Sequence, residues 1–171
     1  MRPDEEEAPV PKLTAEAMKA FLEEPGHLVR IGTVDTSGQP WVLPAWFIAK
    51  DERLYVTLRG QTRFWENLVH NPKASFLIDE YARPARKVVI NGEVELVHDV
   101  GHDDEWRDLY REITERYTTP ERAAAYLAAT MSVLRRLIAL PLAGSQVTTW
   151  RLPLGDEDPA GIFAKRYWTN P

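Results

Sequence analysis

The 171-residue chain contains no cysteine. Disulfides, thiolate zinc sites, iron–sulfur clusters and a cysteine nucleophile are therefore excluded. Long hydrophobic runs are missing too. The longest, Trp41–Ala49, is nine residues and contains Pro44, against the ~20 that a membrane-spanning helix requires. The nine glycines form no Gly-x-Gly-x-x-Gly, no phosphate-loop motif and no Gly-x-Ser-x-Gly. A Rossmann fingerprint, a P-loop and a nucleophile elbow are thus absent. Nor is positive charge in surplus: 21 basic against 26 acidic side chains give a net charge of −5. That balance speaks against a nucleic-acid surface. Met1 to Pro11 carries Asp4–Glu7 and no apolar core, so it does not read as a secretory signal. The expectation is a soluble, cytoplasmic protein with a mobile acidic tail over residues 1–13.

What is present is an ordinary globular composition, 44% hydrophobic, enough for one domain with its own core. That domain is expected over residues 14–155, followed by a charged and then aromatic C-terminal extension, residues 156–171. Thr14–Leu22 reads as a capped helix ended by Pro25-Gly26. Leu28–Val34, Trp41–Ala49 and Arg53–Leu58 read as strands joined by Asp35–Pro40 and Lys50–Glu52. Connections this short allow only antiparallel pairing. A short helix follows from Thr62 to about His70, stopped by Asn71-Pro72. Lys73–Asp79 and Lys87–Val97 continue the strands, and Gly92 inside the latter marks a bulge or a close backbone approach. Asp103–Tyr117 has helical spacing, and Thr119-Pro120 opens another helix running to about Met131. Leu134–Leu140 and Val147–Leu152 complete the strands. The order indicates a mainly β protein with flanking helices (α+β), a small antiparallel barrel rather than a doubly wound sheet.

Two segments carry candidate chemistry. In Thr57–Arg63 a strand ends, a glycine-containing loop with Gln61 follows, and a helix begins at Thr62. A helix start presents unpaired N–H groups and partial positive charge, which suits an anion. Arg59, Arg63 and the hydroxyls of Thr57 and Thr62 reinforce it, and the arginine fork matches phosphate. The other reading is a capped helix with solvated arginines. The second segment contains Val42, Leu43, Pro44 and Trp46. A proline cannot donate to a ladder, so Pro44 marks either an edge strand or a strand that faces a planar ligand. The basic run Arg83–Lys87 serves an anion or is a solvated loop. His98 and His102 are four apart, but a strand end imposes no converging geometry, and no metal site is expected.

Taken in order, Leu28–Val34, Ser37–Pro40, Val42–Phe47, Leu54–Thr57, Arg63, Asn67-Leu68, Asn71-Pro72 and Val89–Val94 resemble the pyridoxamine 5′-phosphate oxidase-like flavin-binding split barrels. The resemblance covers about residues 16–98, with an echo at Val147–Leu152. It implies a six-stranded antiparallel split β-barrel of the FMN-binding type. It also implies a homodimer with FMN, or the deazaflavin F420, at the subunit interface, while haem is a further alternative. By position, Thr57, Arg59, Gln61, Thr62 and Arg63 would hold the cofactor phosphate, and Val42, Leu43, Pro44 and Trp46 would line the ring. Trp150 and the region of Arg86-Lys87 are candidates for contacts from the second subunit. The oxidase itself ends in an arginine-rich substrate motif, whereas this chain ends Phe163–Pro171. Pyridoxamine phosphate is therefore not the expected substrate. No side chain stands out as acid or base, which suits hydride chemistry carried by a cofactor. The implied activity is hydride transfer to or from a small organic substrate. The alternative is a flavin- or haem-binding protein without turnover.

Overall fold

The computed structural model describes residues 11–155 and 157. The acidic residues 1–10 and the aromatic end with Phe163, Tyr167 and Trp168 lie outside it. Among the described residues there are four α-helices: α1 (Ala15–Glu23), α2 (Arg63–His70), α3 (Arg107–Glu115) and α4 (Pro120–Thr130). The nine strands are β1 (Val29–Val34), β2 (Pro40–Ala45), β3 (Phe47–Lys50), β4 (Arg53–Arg59), β5 (Lys73–Asp79), β6 (Lys87–Glu93), β7 (Glu95–His98), β8 (Arg135–Pro141) and β9 (Gln146–Trp150).

Local chemistry accounts for the boundaries. The hydroxyls of Thr14, Thr62 and Thr119 accept from the amides of Ala17, Trp65 and Arg122, so each caps its helix start. Pro120 occupies the first turn of α4, where a missing N–H costs nothing. Between β3 and β4 the chain reverses at Asp51 and Glu52, both at positive φ (49° and 55°), the geometry that a two-residue hairpin demands. The expected helix at 103–117 is in fact a 3-10 turn, Asp103–Trp106, running into α3.

All pairings are antiparallel. One sheet has the order β2-β1-β5-β6-β9 and the other β3-β4-β8-β7. Two strands expected to be continuous are each broken. Trp41–Ala49 splits at Trp46 into β2 and β3, and Lys87–Val97 splits at Val94 into β6 and β7. At each break the chain leaves one sheet and joins the other. Counting each bent strand once, the neighbours run β2/β3, β1, β5, β6/β7, β8, β4 and back to β3. These are the six strands of a split barrel, two sheets joined by shared bent strands, with β9 added outside β6. The irregularity expected at Gly92 falls at Val94. Gly92 instead marks a close approach: a Cβ there would overlap Ser145 Oγ and come within 3.0 Å of Leu140 Cδ1.

The core fills the space between the sheets. Alternate residues point inward: Val29 and Ile31, Val56 and Leu58, Phe76 and Ile78, Val88 and Ile90, Ile138 and Leu140. Phe21, Leu22, Phe64 and Leu68 of α1 and α2 join the same cluster. α3 and α4 pack on each other, and Pro11–Leu13, the first of the described residues, run beside β9. There Leu13 N donates to Thr149 Oγ1 (3.0 Å), and Pro11 O accepts from Arg151 N. Among the described residues no helix is long and apolar enough to cross a membrane.

Candidate cofactor site

The loop between β4 and α2 is clamped from below. Gly60 N donates to Leu134 O at 2.8 Å, and Gly60 O accepts from Arg136. A Cβ on Gly60 would lie 3.0 Å from Val100 Cγ1 and 3.3 Å from Leu134 O, so only glycine passes here without displacement. Arg136 also bonds Asp99 (2.6 Å) and lies 4.6 Å over the Trp65 ring. It is a positioning residue for the loop that the sequence alone does not reveal, because β8 lies more than 70 residues away.

Above this clamp, the hydroxyl of Thr62 is committed to the cap, at 3.2 Å from Trp65 N. The amides of Arg63 and Phe64 fall in the first turn, where the helix supplies no acceptor. Arg59, Gln61 and Arg63 are exposed, while Thr57 and Thr62 are half-buried. Among the described residues neither Arg59 nor Arg63 has a carboxylate within 4.0 Å. Arg63 instead lies over the Trp41 ring, 5.3 Å from its centroid. Trp41 is fixed in turn by Nε1 donating to Asp35 Oδ2 at 3.0 Å. Hydrogen bonds from Ser37 first, and then from Trp41, hold Asp35 well below the usual carboxylate range. The fold thus joins the two segments that the sequence singled out: the arginine cradle and the start of β2.

β2 is an edge strand and is exposed along nearly all its length. Val42 is 71% exposed, and Leu43 and Trp41 are open as well. Leu43 stands opposite Ile31 and points inward, whereas Val42 and Pro44 stand opposite Gly32 and Arg30 on the outer face. Trp46, at the bend, is placed elsewhere. It stacks on Tyr117 (5.0 Å, 7°) and meets Tyr126 edge-on (5.5 Å, 60°). Tyr117 ties this aromatic group to the barrel: its hydroxyl accepts from Phe47 N (3.0 Å) and donates to His27 O (2.7 Å). Burial raises the Tyr117 pKa, which keeps the donor proton in place.

Lys87 and Trp150 face each other across β6 and β9, with Lys87 Nζ 4.7 Å above the indole. They lie at the other end of the five-stranded sheet. Lys87 pairs with Asp79, at the end of β5 that meets Val29, whereas Trp41 pairs with Thr33. Strand rise and spacing put Trp41 and Lys87 roughly 20 Å apart in one chain. Two open hollows mark these ends: about 1000 Å³ beside Trp41 and Val42, and about 530 Å³ beside Arg30, Lys87 and Trp150. Arg86 is committed to structure. It forks onto Glu24 (2.7 Å to each oxygen), bonds Glu80 (2.7 Å) and lies 4.4 Å over Phe21.

Among the described residues, the one group with metal-ligand convergence is Glu24, His27 and Glu80. Arg86 already neutralises both of its carboxylates. His98 and His102 both turn to Glu105, at 3.2 and 2.7 Å.

This arrangement is that of the split-barrel class. Residues 14–150 match the model of the pyridoxamine 5′-phosphate oxidase family, and the chain belongs to that family. A search of curated proteins found no match. Among solved structures, the chain is similar to an FAD-binding protein from Mesorhizobium loti: 20% identity, 84% of this chain and 99% of that one, TM-score 0.62. It is also similar to HutZ, the haem storage protein from Vibrio cholerae: 21% identity, 78% and 94% coverage, TM-score 0.57. An F420 reductase aligns at 23% identity over 75% of this chain and 94% of that one, TM-score 0.56.

Proposed function

We propose that this protein is a homodimeric oxidoreductase that binds FMN, or the deazaflavin F420, between its subunits. On this reading it passes a hydride to or from a small organic substrate other than pyridoxamine phosphate. The observation that carries the reading is the pair Arg59 and Arg63, flanking the loop into α2 and without an ion pair among the described residues, with Arg63 stacked on Trp41 beside an exposed apolar edge strand. The donor set suits a phosphate monoester: two guanidinium forks, first-turn amides and the Thr57 hydroxyl. Next to it β2 offers apolar surface on both faces, Leu43 beside Trp41 on one and Val42 with Pro44 on the other. The bound group would supply the hydride chemistry, while this chain binds its phosphate, holds its ring against β2 and excludes water.

Two copies are needed for a closed site, because β2 is open to solvent. A partner packed on this edge would cover Val42 and Pro44 and bring its own Lys87 and Trp150 towards the ring. The M. loti and F420 relatives support a flavin-type ligand. The haem storage protein supports the other reading, a binding protein without turnover.

The visible spectrum of the purified protein, followed by titration with FMN, F420 and haemin, tests the proposal. Oxidised-flavin bands, or tight uptake of FMN or F420, are expected. A Soret band with no flavin or deazaflavin uptake would replace the reading with haem binding. Indifference to all three ligands would refute both.

A further inference from the structure

We propose that the cleft between α3, α4 and the start of β8 is a second ligand site, built for a small organic carboxylate with an apolar body. The cleft measures about 300 Å³ and is lined mainly by apolar groups, among them Trp106, Leu127, Met131 and Val133. That volume suits a compact ligand of one or two rings. At its base lies Arg135, only 6% exposed.

Among the described residues Arg135 is the buried cation, and it has no counter-ion there. Among the described residues no carboxylate lies within 4.0 Å of its guanidinium, and its Nε is buried with no hydrogen-bond partner. Its remaining contacts are weak: Nη2 to the Tyr126 hydroxyl at 3.3 Å, and the face of Tyr110 at 4.8 Å. Asp103 lines the same cleft, but its oxygens accept from the backbone amides of Arg135 (3.0 Å) and Gly101 (3.3 Å). An arginine stays charged in any protein, and burying it unpaired is costly.

One further donor is stranded here: Trp106, 4% exposed, has a buried Nε1 with no partner among the described residues. Tyr110 is engaged instead: burial first, and then its hydrogen bond with Tyr126, push its pKa up to about 12, so it stays neutral at any physiological pH. Arg107 and Arg111 at the rim are held by Asp104 and Asp108 and do not compete for the same anion. An apolar wall with a buried guanidinium that has no counter-ion among the described residues at its base fits a carboxylate joined to a ring or short chain. The site uses none of Thr57–Arg63 and stands independently of the cofactor reading.

The test is calorimetric titration of the full-length protein with 1-naphthoate, with neutral 1-naphthamide as the charge control. Naphthoate is expected to bind with a Kd below about 1 mM, and the amide about tenfold more weakly or worse. Ala128→Trp fills the cleft from an exposed helix position. It should abolish naphthoate binding while leaving thermal stability and FMN uptake unchanged. Arg135→Met should erase the preference for carboxylate over amide; should that variant fail to fold, Ala128→Trp alone decides. Equal affinity for acid and amide, no binding of either, or naphthoate binding that survives Ala128→Trp would overturn the proposal, and its loss in Arg63→Ala would then place the ligand beside α2.

Discussion

Arg63→Ala separates a phosphate cradle from an ordinary capped helix. In the free protein Arg63 is exposed and makes one identifiable interaction, the stack on Trp41 at 5.3 Å. An exposed cation–π contact contributes about 0.5–1 kcal/mol. For a domain of this size the substitution should therefore lower Tm by only about 1–4 °C. Towards a phosphate the same side chain has much more to offer. Among the described residues no carboxylate competes for it, and a hydrogen bond to a charged group contributes about 1.5–3 kcal/mol. Partial screening at the surface reduces the sum to about 1–3 kcal/mol, a loss of roughly 5- to 150-fold in FMN affinity. Quenching of flavin fluorescence measures that affinity directly. Riboflavin, which has the ring but no phosphate, is the decisive control and should bind the variant and the parent equally. An unchanged FMN affinity would place the phosphate elsewhere. An equal loss for FMN and riboflavin would show that Arg63 acts through the Trp41 wall instead.

Two further substitutions test what holds the site. Tyr117→Phe removes the hydroxyl that links Phe47 N to His27 O and should cost about 1–3 kcal/mol by leaving two backbone groups unpaired; chemical denaturation would measure this, and a loss below 0.5 kcal/mol would contradict it. Arg86→Met strands Glu24 and Glu80 and should destabilise by about 2 kcal/mol at neutral pH, less than for a fully buried pair because Glu24 is open to water. Arg86 hydrogen bonds hold both carboxyls below their ordinary value. The stability they contribute is thus present above the unfolded glutamate pKa and is lost as pH falls through the lower folded value. The gap between variant and parent should therefore close below about pH 4, and a gap constant from pH 7 to pH 3 would refute the ion-pair account.

Much of the barrel was legible because local signals and pattern agreed. Thr14, Thr62 and Thr119 were readable as caps, and Lys73–Asp79 as a strand, from side-chain type and period alone. The two bends were not. Trp46 is unremarkable within an apolar run and Val94 within an alternating one, and what breaks the strands there is a change of sheet, a long-range choice that no window of sequence contains. The arginines show the same limit. Sequence places Arg59, Arg63, Arg86 and Lys87 in basic stretches, but only the fold shows that Arg86 is consumed by Glu24 and Glu80 while Arg63 is left open. Arg136 and Arg135, adjacent on β8, look interchangeable in sequence. One clamps the Gly60 carbonyl, and the other is buried with no counter-ion among the described residues. Register, with successive side chains on opposite faces, separates them.

The regional charge leads to the last expectation. Within residues 53–87, Arg53 and Arg86 are paired, with Glu95 and with Glu24 and Glu80, and Asp79 is taken by Arg30. That leaves Arg59, Arg63, Lys73, Arg83 and Lys87 without an ion pair among the described residues, against the single carboxylate Glu66. The excess is therefore not spent inside the fold. Yet Arg63 beside Trp41, and Lys87 beside Trp150, sit at opposite ends of the same sheet, too far apart to grip one cofactor from one chain. If each site takes its phosphate cradle from one subunit and Lys87 from the other, the two defects should complement. Homodimers of Arg63→Ala and of Lys87→Ala should each bind FMN weakly. A mixed dimer should regain one full-affinity site of its two, because one interface then unites the unaltered Arg63 of one chain with the unaltered Lys87 of the other. Titrating tagged and purified mixed dimers would show half-stoichiometric tight binding. A mixed dimer with only weak sites would place both residues in the same subunit's site, and a Lys87→Ala homodimer that binds FMN at full affinity would place Lys87 in none.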